Sequence, residues 1–122
     1  MNAKTKKLKW YNFRQNNSGG SFTIMNKVDV NVIVQAHSAH EANILAEEIG
    51  IYFDGCLDGL DCGCCGDRWS TTYESGGTDK PSIYGKSVGK YSKTEVTTKN
   101  SGEWGFDKNQ GVKIYPYGTI IL

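Results

Sequence analysis

Two kinds of hydrophobic spacing alternate along the chain, and the change from one to the other sets out the fold. Val28, Val30, Val32 and Val34 recur at every second position with Asp29, Asn31 and Gln35 opposite, the pattern of a strand with one buried face. Ile33 interrupts the polar side, so that face is expected to be partly covered too. Ala42, Leu45, Ala46 and Ile49 then fall at i, i+3, i+4 and i+7, the stripe of an amphipathic helix. Ser38 is the expected N-cap, Glu41 three residues on completes a capping box, and Gly50 supplies a left-handed stop. The spacing predicts one main helix over about 38–49.

The flanking segments read as strands and turns. Trp10 to Arg14 alternate, Ser21 to Met25 form the expected partner strand, and the Asn- and Gly-rich run 15–20 between them suits a hairpin connection. After the helix comes a cysteine-rich structured loop over 50–69, which Ser70 to Tyr73 extend as a further strand. Residues 74–80 read as an exposed loop. From Pro81 to Gly111 the pattern is weak: short edge strands or an excursion ordered around aromatics are expected, with a flexible stretch as the alternative. Val112 to Tyr115, a turn at Pro116-Tyr117-Gly118, and Thr119 to Leu122 read as a closing hairpin. The expected fold is α+β: an antiparallel β-sheet with the helix packed on one face.

Composition narrows this picture without redirecting it. The 122 residues suit a single domain over 10–122, preceded by a flexible basic leader over 1–9. A formal net charge of +1 gives no global signal for nucleic acid. No apolar run approaches the ~20 residues that span a bilayer, and the basic N-terminus leads into Trp10 and Tyr11 rather than an apolar signal core. A cytosolic protein with reduced thiols is expected.

The candidate chemistry concentrates in the loop after the helix. All 4 cysteines lie there, at Cys56, Cys62, Cys64 and Cys65. Cys62 and Cys65 with Gly66 form a knuckle in which two thiolates converge, and Cys56 and Cys64 could complete a tetrahedral structural zinc site. Four small thiols packed in a loop is the other reading, and the residues leave both open. His37 and His40 sit at the far end of a helix ~18 Å long at 1.5 Å per residue, which argues against histidine ligands. No nucleophile elbow, phosphate loop or metalloprotease motif is present, so the expectation is a protein that is not an enzyme.

Of the 14 lysines and arginines only Arg14 and Arg68 are arginines. A guanidinium offers a planar fork for phosphate or carboxylate that lysine lacks. Arg14 beside Asn16, Asn17, Gly19 and Gly20 suits an anion-binding turn, with an ordinary hairpin loop as the alternative. Arg68 beside Trp69 suits a phosphate and a base. Structurally, the same pair can be a braced arginine and a core plug.

Residues 11–22 (Tyr-Asn-Phe-Arg-Gln-Asn-Asn-Ser-Gly-Gly-Ser-Phe), 36–43, 50–56 and 61–69 (Asp-Cys-Gly-Cys-Cys-Gly-Asp-Arg-Trp) resemble a family of small tailed-bacteriophage proteins without an assigned function. The resemblance covers about the first 70 residues and, more loosely, the closing hairpin; residues 74–110 lie outside it. Acidic residues are usual in that family where this chain has His37 and His40, a further argument against histidine ligation. The resemblance implies a protein of the infected bacterial cytoplasm. By analogy with phage accessory proteins, it implies a binder that counters host defence by sequestering a small nucleotide-like immune signal, acting as a homo-oligomer. The alternative is a zinc-stabilised module that binds a host or phage protein or nucleic acid.

Overall fold

The computed structural model describes residues 7–16, 27–61, 63, 66–99 and 111–122. Strand β1 (Lys9–Arg14) pairs antiparallel with β2 (Asn31–Ala36), with Arg14 opposite Asn31. The expected partner strand Ser21–Met25 lies outside the described residues. β2 also pairs with β6 (Val112–Tyr115), and this pairing is parallel. β6 in turn pairs antiparallel with β5 (Thr97–Lys99). The order β1-β2-β6-β5 therefore makes a mixed four-stranded sheet, where a wholly antiparallel one was expected.

The closing hairpin does not form. Both edges of β6 are occupied, by β2 and by β5, so its backbone has no side left for a returning strand. Thr119 instead closes a turn on the Pro116 carbonyl, and Ile121 and Leu122 stand exposed.

Helix α1 (Ala39–Glu48) begins as the sequence predicts, with the Ser38 hydroxyl accepting from the Glu41 amide at 3.1 Å. The reciprocal arm is offset by one residue: the Glu41 carboxylate accepts from the His37 amide at 2.7 Å rather than from that of Ser38. Gly50 takes the left-handed conformation at the exit, φ 107°. The stripe Ala42, Leu45, Ala46 and Ile49 packs against Tyr11, Phe13, Val32, Val34 and Tyr115 on one sheet face, and Trp69 joins this core.

Strand alternation sends Trp10, Ile33, Val112 and Ile114 to the opposite face, where Ile83 and Val88 cover them. The covering piece is a small hairpin, β3 (Ser82–Ile83) and β4 (Lys86–Ser87). Ile33 is thus fully buried, as its place on the polar side of β2 suggested. Lys99, buried in β5, donates to the carbonyls of Val88 at 2.7 Å and Lys90 at 2.8 Å and ties this second layer down. Residues 70–73 are an extended strap rather than a strand, followed by one 3₁₀ turn at Glu74–Gly76.

Candidate functional site

Arg14 ends β1 on the face away from α1, and Arg68 meets the chain just past it, at Gln15. Alternation along β1 places Asn12 and Arg14 with Trp10, and Tyr11 and Phe13 with the helix. Arg14 Nη1 donates to Asn31 Oδ1 across the strand pair at 3.3 Å, and its guanidinium carbon stands 5.4 Å from the centre of the Tyr84 ring. That distance is within cation–π range.

Arg68 is enclosed. Its Nη1 donates to Gln15 Oε1 at 3.0 Å, and its Nε lies 3.8 Å from Asp61 Oδ1. The side chains of Arg68 and Asp61 are 14% and 2% exposed. Asp61 also accepts from the Tyr52 hydroxyl and the Arg68 amide, both at 2.8 Å. Burial, and then the hydrogen bond to Asp61, push the Tyr52 phenol above its ordinary pKa, against the opposing pull of Arg68. Gly55 makes room for this knot, since a Cβ there would stand 1.9 Å from Asp61 Oδ2.

The neighbouring groups continue the brace. Asp67 Oδ1 accepts from the Cys56 amide at 2.9 Å, and the Asp67 carbonyl accepts from Asn16 Nδ2 at 3.2 Å. The Asn16 amide donates to the Arg68 carbonyl at 2.8 Å. The end of β1 is therefore clasped to the cysteine-rich loop, and the chain does bring the Arg14 and Arg68 segments together. Trp69, 3% exposed, presents its ring to the core and not to solvent. Asn17, Gly19, Gly20, Cys62, Cys64 and Cys65 lie outside the described residues. Among the described residues no group of three or more His, Cys, Asp or Glu side chains could hold a metal.

A hollow of about 470 Å³ opens beside Arg14, within the ~300–1,000 Å³ usual for small-molecule sites. Asn12, Phe13 and Arg14 form its sheet side; Ser70, Thr71, Thr72, Tyr73, Gly76 and Thr78 form the strap side; Ser82, Tyr84 and Gly85 come from the small hairpin. Arg68 and Trp69 do not line it. Among the described residues Arg14 is the one charged side chain in the lining, amid hydroxyl groups and two exposed rings, Tyr73 at 69% and Tyr84 at 71%. The Asn12 Oδ1 atom is buried without a hydrogen-bond partner. An unsatisfied acceptor of this kind costs about 1–3 kcal/mol, relieved when a donor reaches the amide.

The strap wall is fixed from behind by α1. Asn43 Nδ2 donates to the Thr72 carbonyl at 3.1 Å, and the Thr72 amide donates to Asn43 Oδ1 at 2.9 Å. Glu74 accepts from the Ala39 amide at 2.5 Å, placing a carboxylate at the helix N-terminus, where the dipole favours it. Thr78 exchanges backbone hydrogen bonds with Trp10, closing the strap onto β1.

The third wall turns on Tyr84-Gly85. Ile83 pairs with Lys86, so the loop has two residues, and both carry positive φ, 53° at Tyr84 and 78° at Gly85. This is a type I′ hairpin turn, whose first position favours Asn, Asp or Gly. A left-handed conformation costs other residues roughly 1–2 kcal/mol. Tyr84, Tyr73, Thr72 and Asn12 escape a reading of the sequence because no motif marks them. The hydroxyl run Thr71-Thr72-Tyr73 and the Tyr-Gly pair between short β-like dipeptides are the signals that were there to find.

Among the described residues, the mixed sheet and the one α-helix packed on it make this an α+β protein. The chain belongs to the family described as "Domain of unknown function (DUF7296)", whose model matches residues 8–119. Neither the curated proteins nor the solved structures yield a match. Among the described residues no helix is long and apolar enough to cross a membrane.

Proposed function

We propose that this chain is a non-enzymatic binding protein that holds a small phosphorylated ligand in the hollow beside Arg14. The observation that carries the reading is a guanidinium set, among the described residues, in a lining otherwise without charge and rich in hydroxyls and aromatic rings. Such a group recognises phosphate through its planar fork, and the surrounding hydroxyls suit a sugar. Among the described residues the lining carries no histidine, cysteine or carboxylate, which supports binding over turnover. In its finer form the proposal is a bacteriophage protein in the cytoplasm of its host that sequesters a nucleotide-like immune signal. It includes self-association, because one small domain offers limited concavity, and a structural zinc ion on Cys56, Cys62, Cys64 and Cys65.

Calorimetry with inorganic phosphate, AMP, cyclic AMP and ADP-ribose tests the ligand class. At least one phosphorylated probe is expected to bind, and Arg14→Ala to weaken it by about 100-fold, the order expected for a charge-assisted pair of ~1.5–3 kcal/mol. Absence of binding by all four probes, or binding indifferent to Arg14→Ala, would refute the reading. Elemental analysis of the purified protein tests the zinc proposal separately.

A further inference from the structure

Tyr84 occupies a position that its own turn disfavours. The Tyr84-Gly85 loop needs positive φ at both residues, and Asn would satisfy the first position better than Tyr. Sparsely populated backbone conformations persist where the surroundings hold them, and they gather at ligand clamps. What Tyr supplies and Asn lacks is a ring. That ring stands over the Arg14 guanidinium at 5.4 Å, borders the hollow, and remains 71% exposed. An aromatic of this size is ordinarily drawn into a core, and the core beneath it is already filled by Ile83 and Val88.

We infer that Tyr84 is a specificity-determining residue of the hollow: its ring stacks a planar aromatic group of the ligand while Arg14 takes the phosphate. The inference rests on the reading of the hollow as a phosphate site and narrows the ligand from phosphorylated compounds in general to nucleotides. A base–aromatic stack tolerates every base, because each has a π-face. The selection is therefore for the presence of a base, not for its identity. The second exposed ring, Tyr73, lies in the strap wall and offers another surface to the same ligand.

The test compares AMP with ribose 5-phosphate, which keeps sugar and phosphate and lacks the base, on wild type, Tyr84→Asn and Tyr84→Phe. Wild type and Tyr84→Phe are expected to bind AMP about tenfold or more tighter than ribose 5-phosphate. Tyr84→Asn is expected to lose that preference, to keep its affinity for ribose 5-phosphate, and to melt at or above the wild-type temperature. Equal affinity of wild type for the two probes, or a preference that survives Tyr84→Asn, overturns the inference and leaves the phosphate reading standing. A parallel loss of both affinities in Tyr84→Asn, or a marked fall in melting temperature, would make Tyr84 a support for Arg14 or for the turn and equally overturns stacking. Failure of wild type to bind either probe defeats the phosphate reading and the inference together.

Discussion

Arg68 and Arg14 are the two arginines of a lysine-rich chain, and the fold uses them in opposite ways. Arg68 is enclosed by Asp61 and Gln15, its charge opposed by a carboxylate that is itself buried. Arg14 stands at the rim of the hollow, where the described residues set an amide and the face of a ring beside it. A guanidinium set against a buried carboxylate holds two chain segments in place, because separating them would strand a charge in a poor solvent. The surroundings, and not the residue type, put one arginine in a buried ion pair and the other beside the hollow.

The largest expected effect lies in the brace. Asp61→Ala removes the acceptor for the Tyr52 hydroxyl and the Arg68 amide, and leaves Arg68 in a pocket built for a pair. The expected cost is about 3 kcal/mol, read from the midpoint of urea unfolding. The ligand affinity of the folded protein should stay at the wild-type value. A drop in affinity with intact stability would exchange the roles assigned to the two regions.

Next in size is an alkaline loosening of the same knot. The Tyr52 phenol is pushed up by burial and by its bond to Asp61. A raised pKa in the folded state means that the contribution to stability is complete below the unfolded value near 10 and is lost as pH rises through the folded one. Tyr115, buried and pushed up to about 12, adds to the same slope. The brace is therefore read from the difference between wild type and Tyr52→Phe, which is expected to show a shallower loss of stability above pH 10. Identical slopes would remove Tyr52 from the account.

The smallest stability effect belongs to the hollow. Asn43→Ala deletes the reciprocal pair with Thr72, at a cost of about 1 kcal/mol. Because the strap forms one wall, hydrogen exchange of the Thr72 and Tyr73 amides should quicken more than that of β1. Uniform quickening across the sheet would show that the strap is not a separate element.

The helix was legible in the sequence because its determinants are local. Ser38, the apolar stripe and Gly50 lie within a few turns of one another, and only the Glu41 carboxylate chose a neighbouring amide. The β2–β6 pairing was not legible, since the residues it joins are some eighty positions apart and a parallel register leaves no turn signal between them. The expected closing hairpin failed for a related reason: alternation in Val112–Tyr115 states that a strand forms, but not which neighbours it takes. Arg14 stood out by scarcity, and the structure gives it a setting. The hollow around it comes from an unpatterned stretch, Ser70 to Gly85, whose shape is imposed by Asn43, Glu74 and Trp10 from other parts of the chain.

Where a nucleotide settles separates the two arginines. An amide ¹H–¹⁵N correlation spectrum recorded during titration with AMP reports that directly. The expected shifts fall on Asn12, Arg14, Thr71, Thr72, Tyr73, Tyr84 and Gly85, with Asn16, Asp67 and Arg68 at most weakly affected. Shifts centred on Asn16, Asp67 and Arg68 instead would place the ligand at the clasp and contradict the division of labour between the two arginines.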